Sequence, residues 1–102
     1  MKITLEKLNS GIHKFRVIIE RDGRKKTINF GARGYSDFTI TKNLEKKNAY
    51  ISRHKINENW NKSGIETKGF WARYILWNQP TIKSSIKNTE NKFGIKIIFT
   101  RS

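Results

Sequence analysis

Residues 12–30 decide the fold, and they read IHKFRVIIERDGRKKTINF. Every second residue from 15 to 19 is apolar, a pattern that predicts a half-buried β-strand. The dipeptide Asp22-Gly23 fits a tight hairpin turn, because both positions tolerate a positive φ. The chain then returns through a second alternating segment, residues 25–30. This stretch therefore predicts a β-hairpin.

The flanking sequence extends the hairpin on both sides. Ile3 and Leu5 alternate with polar residues and predict an earlier strand, so that the first 30 residues form a three-stranded antiparallel meander. Residues 95–99 alternate in the same way and predict a last strand, which we expect to join the N-terminal sheet.

The segment between these strands changes to a helical period. A first helix is predicted from a cap at Thr41 or Asn43 to about residue 56, and a second over about residues 69–78, capped by Thr67. A third has Pro80 in its first turn and ends at a glycine cap. The cap of this third helix is Gly94. In the first helix, the residues of the predicted apolar stripe are Leu44, Asn48, Ile51 and Lys55. The whole pattern predicts an α+β fold, with residues 1–102 as a single domain in which a small antiparallel sheet packs on one face against about three helices.

The charge of the chain is strongly positive. Lys and Arg number 22 and Asp and Glu number 8, which gives a formal net charge of +14. This charge favours a polyanionic partner, nucleic acid before an anionic membrane surface.

The absence of cysteine excludes a disulfide scaffold, a thiolate zinc site and a cysteine nucleophile. No apolar run approaches the roughly 18 residues of a transmembrane helix, so no membrane span is predicted and we expect an intracellular location.

The basic residues cluster on the hairpin and around the first predicted helix, where they can reach backbone phosphates. The candidate nucleic-acid-binding residues are Arg16, Arg21, Arg24, Lys25, Lys26, Arg33, Lys42, Lys46, Lys47, Arg53, His54 and Lys55. These residues predict a small protein that binds the phosphate backbone with low sequence specificity, and DNA is favoured over RNA as its partner. The other interpretation of the same charge is a solvated surface that keeps the protein soluble.

The sequence contains no recognisable catalytic constellation. His13 and His54 are the only histidines, and the carboxylates are scattered along the chain. We predict no catalytic residue, no metal ligand and no cofactor, and we do not expect an enzyme. A metal-dependent nuclease is the alternative that stays open, because folding could bring Asp37 together with Glu58 or Glu66.

The segment after the hairpin has two interpretations. Gly31 and Gly34 permit tight backbone geometry, which suits a connecting loop. The alternative is an anion site, in which backbone amides and Arg33 surround a phosphate. A lone pair of glycines is a weak motif, so the connecting loop is favoured.

Five short stretches carry a resemblance to a known family. They are FGARGYSDFT (residues 30–39), YISRHK (50–55), ENW (58–60), GFWARY (69–74) and LWNQPT (76–81). Residues from about 30 to 93 thereby resemble an uncharacterised family of small basic proteins from the nucleocytoplasmic large DNA viruses (giant viruses) of algae and protists. The resemblance implies a viral setting, in the viral factory, the host nucleus or the virion, and no site residue. A structural virion protein, as a minor capsid or core component with other virion proteins as partners, is therefore an alternative function.

Overall fold

The computed structural model describes residues 1–101 and shows a four-stranded sheet with helices packed against one face. The strands are β1 (Lys2–Lys7), β2 (His13–Arg21), β3 (Arg24–Ala32) and β4 (Ile97–Arg101). The helices are α1 (Phe38–Thr41), α2 (Leu44–His54), α3 (Lys68–Trp71), which continues into a π-helical turn (Ala72–Leu76), and α4 (Ile82–Phe93). A short 3-10 turn, Lys62–Gly64, lies between α2 and α3. The predicted α+β fold is confirmed.

The sheet has the strand order β3-β2-β1-β4. The first three strands form the predicted antiparallel meander, with Phe15 opposite Phe30 across β2 and β3. The hairpin turn has positive φ angles of 50° at Asp22 and 75° at Gly23, in agreement with the prediction from this dipeptide.

β4 joins the N-terminal sheet, as predicted. It lies beside β1, and the two strands run parallel, with Ile3 opposite Ile97. The sheet is therefore mixed, where the sequence pattern predicts antiparallel pairing throughout. The cause is the connection. β3 runs in the same direction as β1, and the helices carry the chain from the end of β3 back to the other end of the sheet, so β4 enters in that same direction.

One face of the sheet is buried against the helices and contains the core. Its buried strand residues are Ile3, Leu5, Phe15, Val17, Ile19, Ile28, Phe30 and Ile97. α3 and the π-helical turn supply the opposing layer, in which Phe70, Trp71 and Ile75 are fully buried. Trp60 packs against the edge of this core, as predicted.

The first long helix, α2, begins at one of the two predicted caps, since the side chain of Asn43 accepts a hydrogen bond from the first turn. Its buried side is not the predicted one. Leu44 is 59% exposed, whereas Tyr50 is buried and stacks between the rings of His54 and Trp77. The predicted stripe was wrong because aromatic partners from other segments decide which side of α2 packs.

The second helix begins with the predicted cap but ends differently from the prediction. The side chain of Thr67 caps α3, but α-helical geometry ends at Trp71. The chain continues as the π-helical turn, in which the Trp77 N–H donates to the Ala72 carbonyl at 3.1 Å. The second helix is therefore shorter than predicted and ends in a wider turn.

The last helix, α4, starts after Thr81, which forms a capping box with Ser84. Pro80 therefore precedes the helix and does not lie in its first turn, contrary to the prediction. Gly94 ends the helix with a φ of 64°, as predicted. Within residues 1–101 no helix is long and apolar enough to span a membrane.

Candidate nucleic-acid interface and histidine cleft

Eight of the predicted contact residues are exposed lysines and arginines without a carboxylate within 4.0 Å in the described part of the chain. One of them, Arg33, is held by the protein's own backbone, and the other seven form two patches. Three of them form a hairpin patch at the start of β3, namely Arg24, Lys25 and Lys26. Four form a helix patch on and around α2, namely Lys42, Lys46, Arg53 and Lys55. Lys42 Nζ also donates to the Thr39 carbonyl at 2.8 Å. Exposed cations without an acidic neighbour are available to an anionic partner.

The two patches lie toward opposite ends of β3. The hairpin patch is at its first residues, while α2 reaches its last residues, since His54 lines a cleft together with Ala32. β3 has nine residues, and a strand of that length spans about 26 Å. The basic residues therefore form two separate groups and not one continuous cluster.

Two predicted contact residues on β2 already have acidic partners. Arg16 donates from Nε to Glu6 Oε1 at 2.9 Å, and its side chain is 37% exposed. Arg21 Nη2 lies 3.4 Å from Glu66 Oε2, across the gap between the hairpin and the segment before α3. These pairs lower the net charge that β2 presents to a partner.

Arg33 is bound to the protein's own backbone. Its Nε donates to the Gly11 carbonyl at 2.9 Å, and its Nη2 donates to the carbonyls of Leu8 and His13 at 3.0 and 3.1 Å. The guanidinium thus holds together the turn between β1 and β2. Because Arg33 is engaged in this way, the connecting-loop interpretation of the segment after the hairpin is supported more than the anion-site interpretation.

Lys47 points inward from α2, unlike the exposed Lys46 of the same helix. Its Nζ donates to the Asn78 carbonyl at 2.6 Å and lies 5.0 Å from the centre of the Phe38 ring. Burial, with a smaller contribution from the positive charge of Arg73, lowers the pKa of Lys47 below its ordinary value. This lysine joins α2 to the chain after the π-helical turn.

A stack of aromatic rings supports the last turn of α2. The Tyr50 ring lies 4.2 Å from the His54 ring and 4.6 Å from the Trp77 ring, centre to centre. Burial raises the pKa of Tyr50 to about 12, helped by the negative charge of Glu58 and opposed by Arg73. The phenol therefore stays protonated over the physiological range, and the stack holds the His54 ring in place.

Both histidines of the chain line one cleft of about 330 Å³, which we call the histidine cleft. His13 comes from the start of β2 and His54 from the end of α2, while Glu58 and Lys68 complete its polar lining. The spacing of these four residues in the sequence does not indicate that they converge. They come together because β2 pairs with β3 and because α2 packs nearby.

Glycine makes room for one wall of this cleft. A Cβ atom on Gly69 would lie 1.1 Å from Glu58 Oε2, so the carboxylate occupies the space that a side chain would take. The indole N–H of Trp60 donates to the Gly69 carbonyl at 3.2 Å and fixes the same segment. Glu58 is therefore held against the first turn of α3.

The three carboxylates considered for a metal site lie in different surroundings. Asp37 pairs with Lys14, Glu66 with Arg21, and Glu58 lines the histidine cleft. Among residues 1–101 no group of three or more histidine or acidic side chains is close enough together to hold a metal ion.

Comparison with known proteins identifies a family and no individual relative. No curated protein and no solved structure matches the chain significantly. Residues 3–54, about half of the chain, match the profile of a family of unknown function (DUF5754), which covers the meander, α1 and α2. The chain therefore belongs to the DUF5754 family of unknown function.

Proposed function

We propose that this protein binds nucleic acid through the backbone phosphates with low sequence specificity. The observation that carries the proposal is the pair of basic patches, whose seven exposed cations have no acidic partner in the described residues. Phosphate contacts of this kind supply affinity that does not depend on sequence.

The distance between the patches fits a partner with repeated charges. The strand that separates them, β3, spans about 26 Å, a length comparable to seven or eight base pairs of duplex at a rise of roughly 3.4 Å per base pair. Duplex DNA, with phosphates repeated along that length, is the partner that we propose. Five of the seven residues are lysines, which act on phosphates as point charges and read bases less well than arginine does.

The setting is proposed on the resemblance alone. A protein of a giant virus that binds DNA would act in the viral factory or the host nucleus, and packaging in the virion is consistent with the same chemistry. Detection of the chain in purified particles by mass spectrometry distinguishes a packaged protein from one that acts only during infection.

Three variants that each remove three positive charges test the proposal. The hairpin variant is Arg24→Gln, Lys25→Gln, Lys26→Gln; the helix variant is Lys46→Gln, Arg53→Gln, Lys55→Gln; the control is Lys83→Gln, Lys87→Gln, Lys96→Gln. All nine residues are exposed. Binding of a labelled 20-base-pair duplex is measured by fluorescence anisotropy over a series of salt concentrations.

The slope of log affinity against log salt reports the number of phosphates contacted, at about 0.9 per contact for duplex DNA. We expect the hairpin and helix variants each to lower that slope by about two to three units, and the control by less than one. A flat salt response of the unmodified protein, or equal losses in all three variants, would contradict the proposal.

A further inference from the structure

The histidine cleft contains chemistry that phosphate binding does not use. Within residues 1–101, no hydrogen bond or ion pair engages the side-chain polar atoms of His13, His54, Glu58 or Lys68. The only ring contact of His54 is its stacking on Tyr50, which leaves both imidazole nitrogens available. Two histidines, a lysine and a glutamate therefore line one cleft, and their side-chain polar groups have no partner among the described residues.

The walls of the cleft allow a strand to approach closely. Gly31, Ala32, Gly69 and Ala72 line it, so much of its surface is backbone or a single methyl group. Arg53 and Lys55 of the helix patch are exposed on either side of His54 in the chain. Both cations therefore lie at the end of α2 that borders the cleft.

We propose that the histidine cleft cleaves single-stranded RNA without a metal ion, with His13 and His54 as the proton-transfer pair. This inference rests on the proposed binding of a phosphate backbone. It assigns the cleft to a ribonucleotide strand, whereas duplex DNA is the partner expected for the patches. RNA is selected because its 2′-hydroxyl provides a nucleophile inside the substrate, which DNA lacks.

The reaction is a transfer of the phosphodiester to the neighbouring oxygen. The neutral imidazole takes the proton of the 2′-hydroxyl while the O2′–P bond forms. The P–O5′ bond breaks, and O5′ leaves with a proton from the other imidazole, which is in its protonated form. The products are a 2′,3′-cyclic phosphate and a 5′-hydroxyl, and the second imidazole ends neutral as the first becomes charged.

Lys68 supplies the positive charge that the transition state needs. This residue lines the same cleft, and its ammonium can neutralise the negative charge that develops on the non-bridging phosphate oxygens. Glu58 brings a negative charge to the same cleft. Besides the two histidines, the titratable residues that line it are Glu58, Lys68 and Tyr50.

The test uses the full-length protein and a 12-nucleotide single-stranded RNA with a fluorophore and a quencher at its ends, in the presence of EDTA. We expect cleavage products that end in a 2′,3′-cyclic phosphate, identified by mass spectrometry. The rate should follow a bell-shaped pH profile, because one imidazole must be neutral and the other protonated. A DNA strand of the same sequence should stay intact.

Two variants keep the fold while removing the proton-transfer groups. His54→Phe retains a ring to stack on Tyr50, and His13→Gln retains a polar side chain of similar reach. We expect each to lower the cleavage rate at least about 100-fold, in line with general acid–base catalysis, with thermal melting unchanged within a few degrees. Lys87→Ala, purified in parallel, is the control and should cleave at the unmodified rate.

Several results would overturn the inference. They are intact RNA at every pH, cleavage of the DNA strand, or cleavage retained in folded His13→Gln and His54→Phe. Fluorescence anisotropy with the same oligonucleotides measures binding separately from cleavage. It therefore distinguishes failure of the cleavage proposal from failure of the proposed nucleic-acid binding. Salt-dependent binding without cleavage refutes the cleft chemistry alone, while absence of binding to any nucleic acid refutes both.

Discussion

Lys14 Nζ lies 2.7 Å from Asp37 Oδ2, and the side chain of Asp37 is only 3% exposed. The other carboxylate oxygen, Oδ1, accepts a hydrogen bond from the Thr39 N–H at 2.9 Å and caps α1. One buried carboxylate thus connects the start of β2 to the segment that leads into the helices. It sets the position from which α1 and then α2 begin.

Replacement of this carboxylate should destabilise the protein. Asp37→Asn keeps the shape but leaves the Lys14 ammonium, whose side chain is 16% exposed, without its counter-charge. We expect the free energy of unfolding to fall by about 2–3 kcal/mol, since breaking a buried pair on one side is costly. Urea denaturation measures the change. Asp22→Asn, the same substitution at an exposed turn, should change it by less than about 0.5 kcal/mol.

Arg33 should behave as a structural residue and not as a phosphate contact. Arg33→Gln removes the hydrogen bonds to the turn between β1 and β2, and we expect a loss of about 1 kcal/mol in unfolding free energy. Its effect on the salt slope of DNA binding should be below half a unit. Arg24→Gln removes the same charge from the hairpin patch and should lower the slope by about one unit without loss of stability. A lower salt slope for Arg33→Gln with unchanged stability would instead assign Arg33 to the DNA interface.

A double-mutant cycle should reveal the contact between Glu58 and Gly69. Gly69→Ala places a methyl group where the carboxylate lies, and we expect it to destabilise the protein by about 1–3 kcal/mol. In a Glu58→Ala background that space is empty, and the same substitution should be neutral or stabilising by up to about 1 kcal/mol, since alanine favours a helix. Equal effects in the two backgrounds would show that the two residues do not compete for the space.

Tyr50 should make the protein sensitive to alkali. Its pKa is raised from 10.0 to about 12 in the folded protein, so the unfolded chain releases the phenol proton first as the pH rises. The free energy of unfolding is therefore fully retained below pH 10 and falls as the pH rises toward 12, by about 1–2 kcal/mol from this group. Tyr50→Phe removes the ionisation but keeps the ring. Chemical denaturation at pH 9, 10 and 11 should show a shallower decline for Tyr50→Phe, and parallel curves would contradict the assignment.

Local patterns predict the strands and caps of this fold because each depends on neighbours in the chain. Asp22 and Gly23 form the expected turn, Thr67 and Asn43 cap helices, and Gly94 ends one. The antiparallel meander follows from short connections for the same reason. These features require no knowledge of the rest of the molecule.

The features that the pattern misses depend on distant contacts. The buried side of α2 is decided by Trp77, which stacks on Tyr50 from another segment, so the helical period alone placed Leu44 on the wrong side. The inward direction of Lys47 likewise depends on the Asn78 carbonyl. Of the candidate site, the exposed patches were found from charge, while the convergence of His13 with Glu58 and Lys68 required the folded chain.

The parallel pairing of β4 with β1 has a consequence for how this chain folds. Ile3 and Ile97 become neighbours only after β4 has been synthesised, so before that point the meander can form while β1 still has an open edge. Contacts between residues so far apart close slowly, because the loop entropy is lost before the contact is gained. We therefore expect the rate of folding to be limited by the arrival of the last strand, with the hairpin of β2 and β3 already in place.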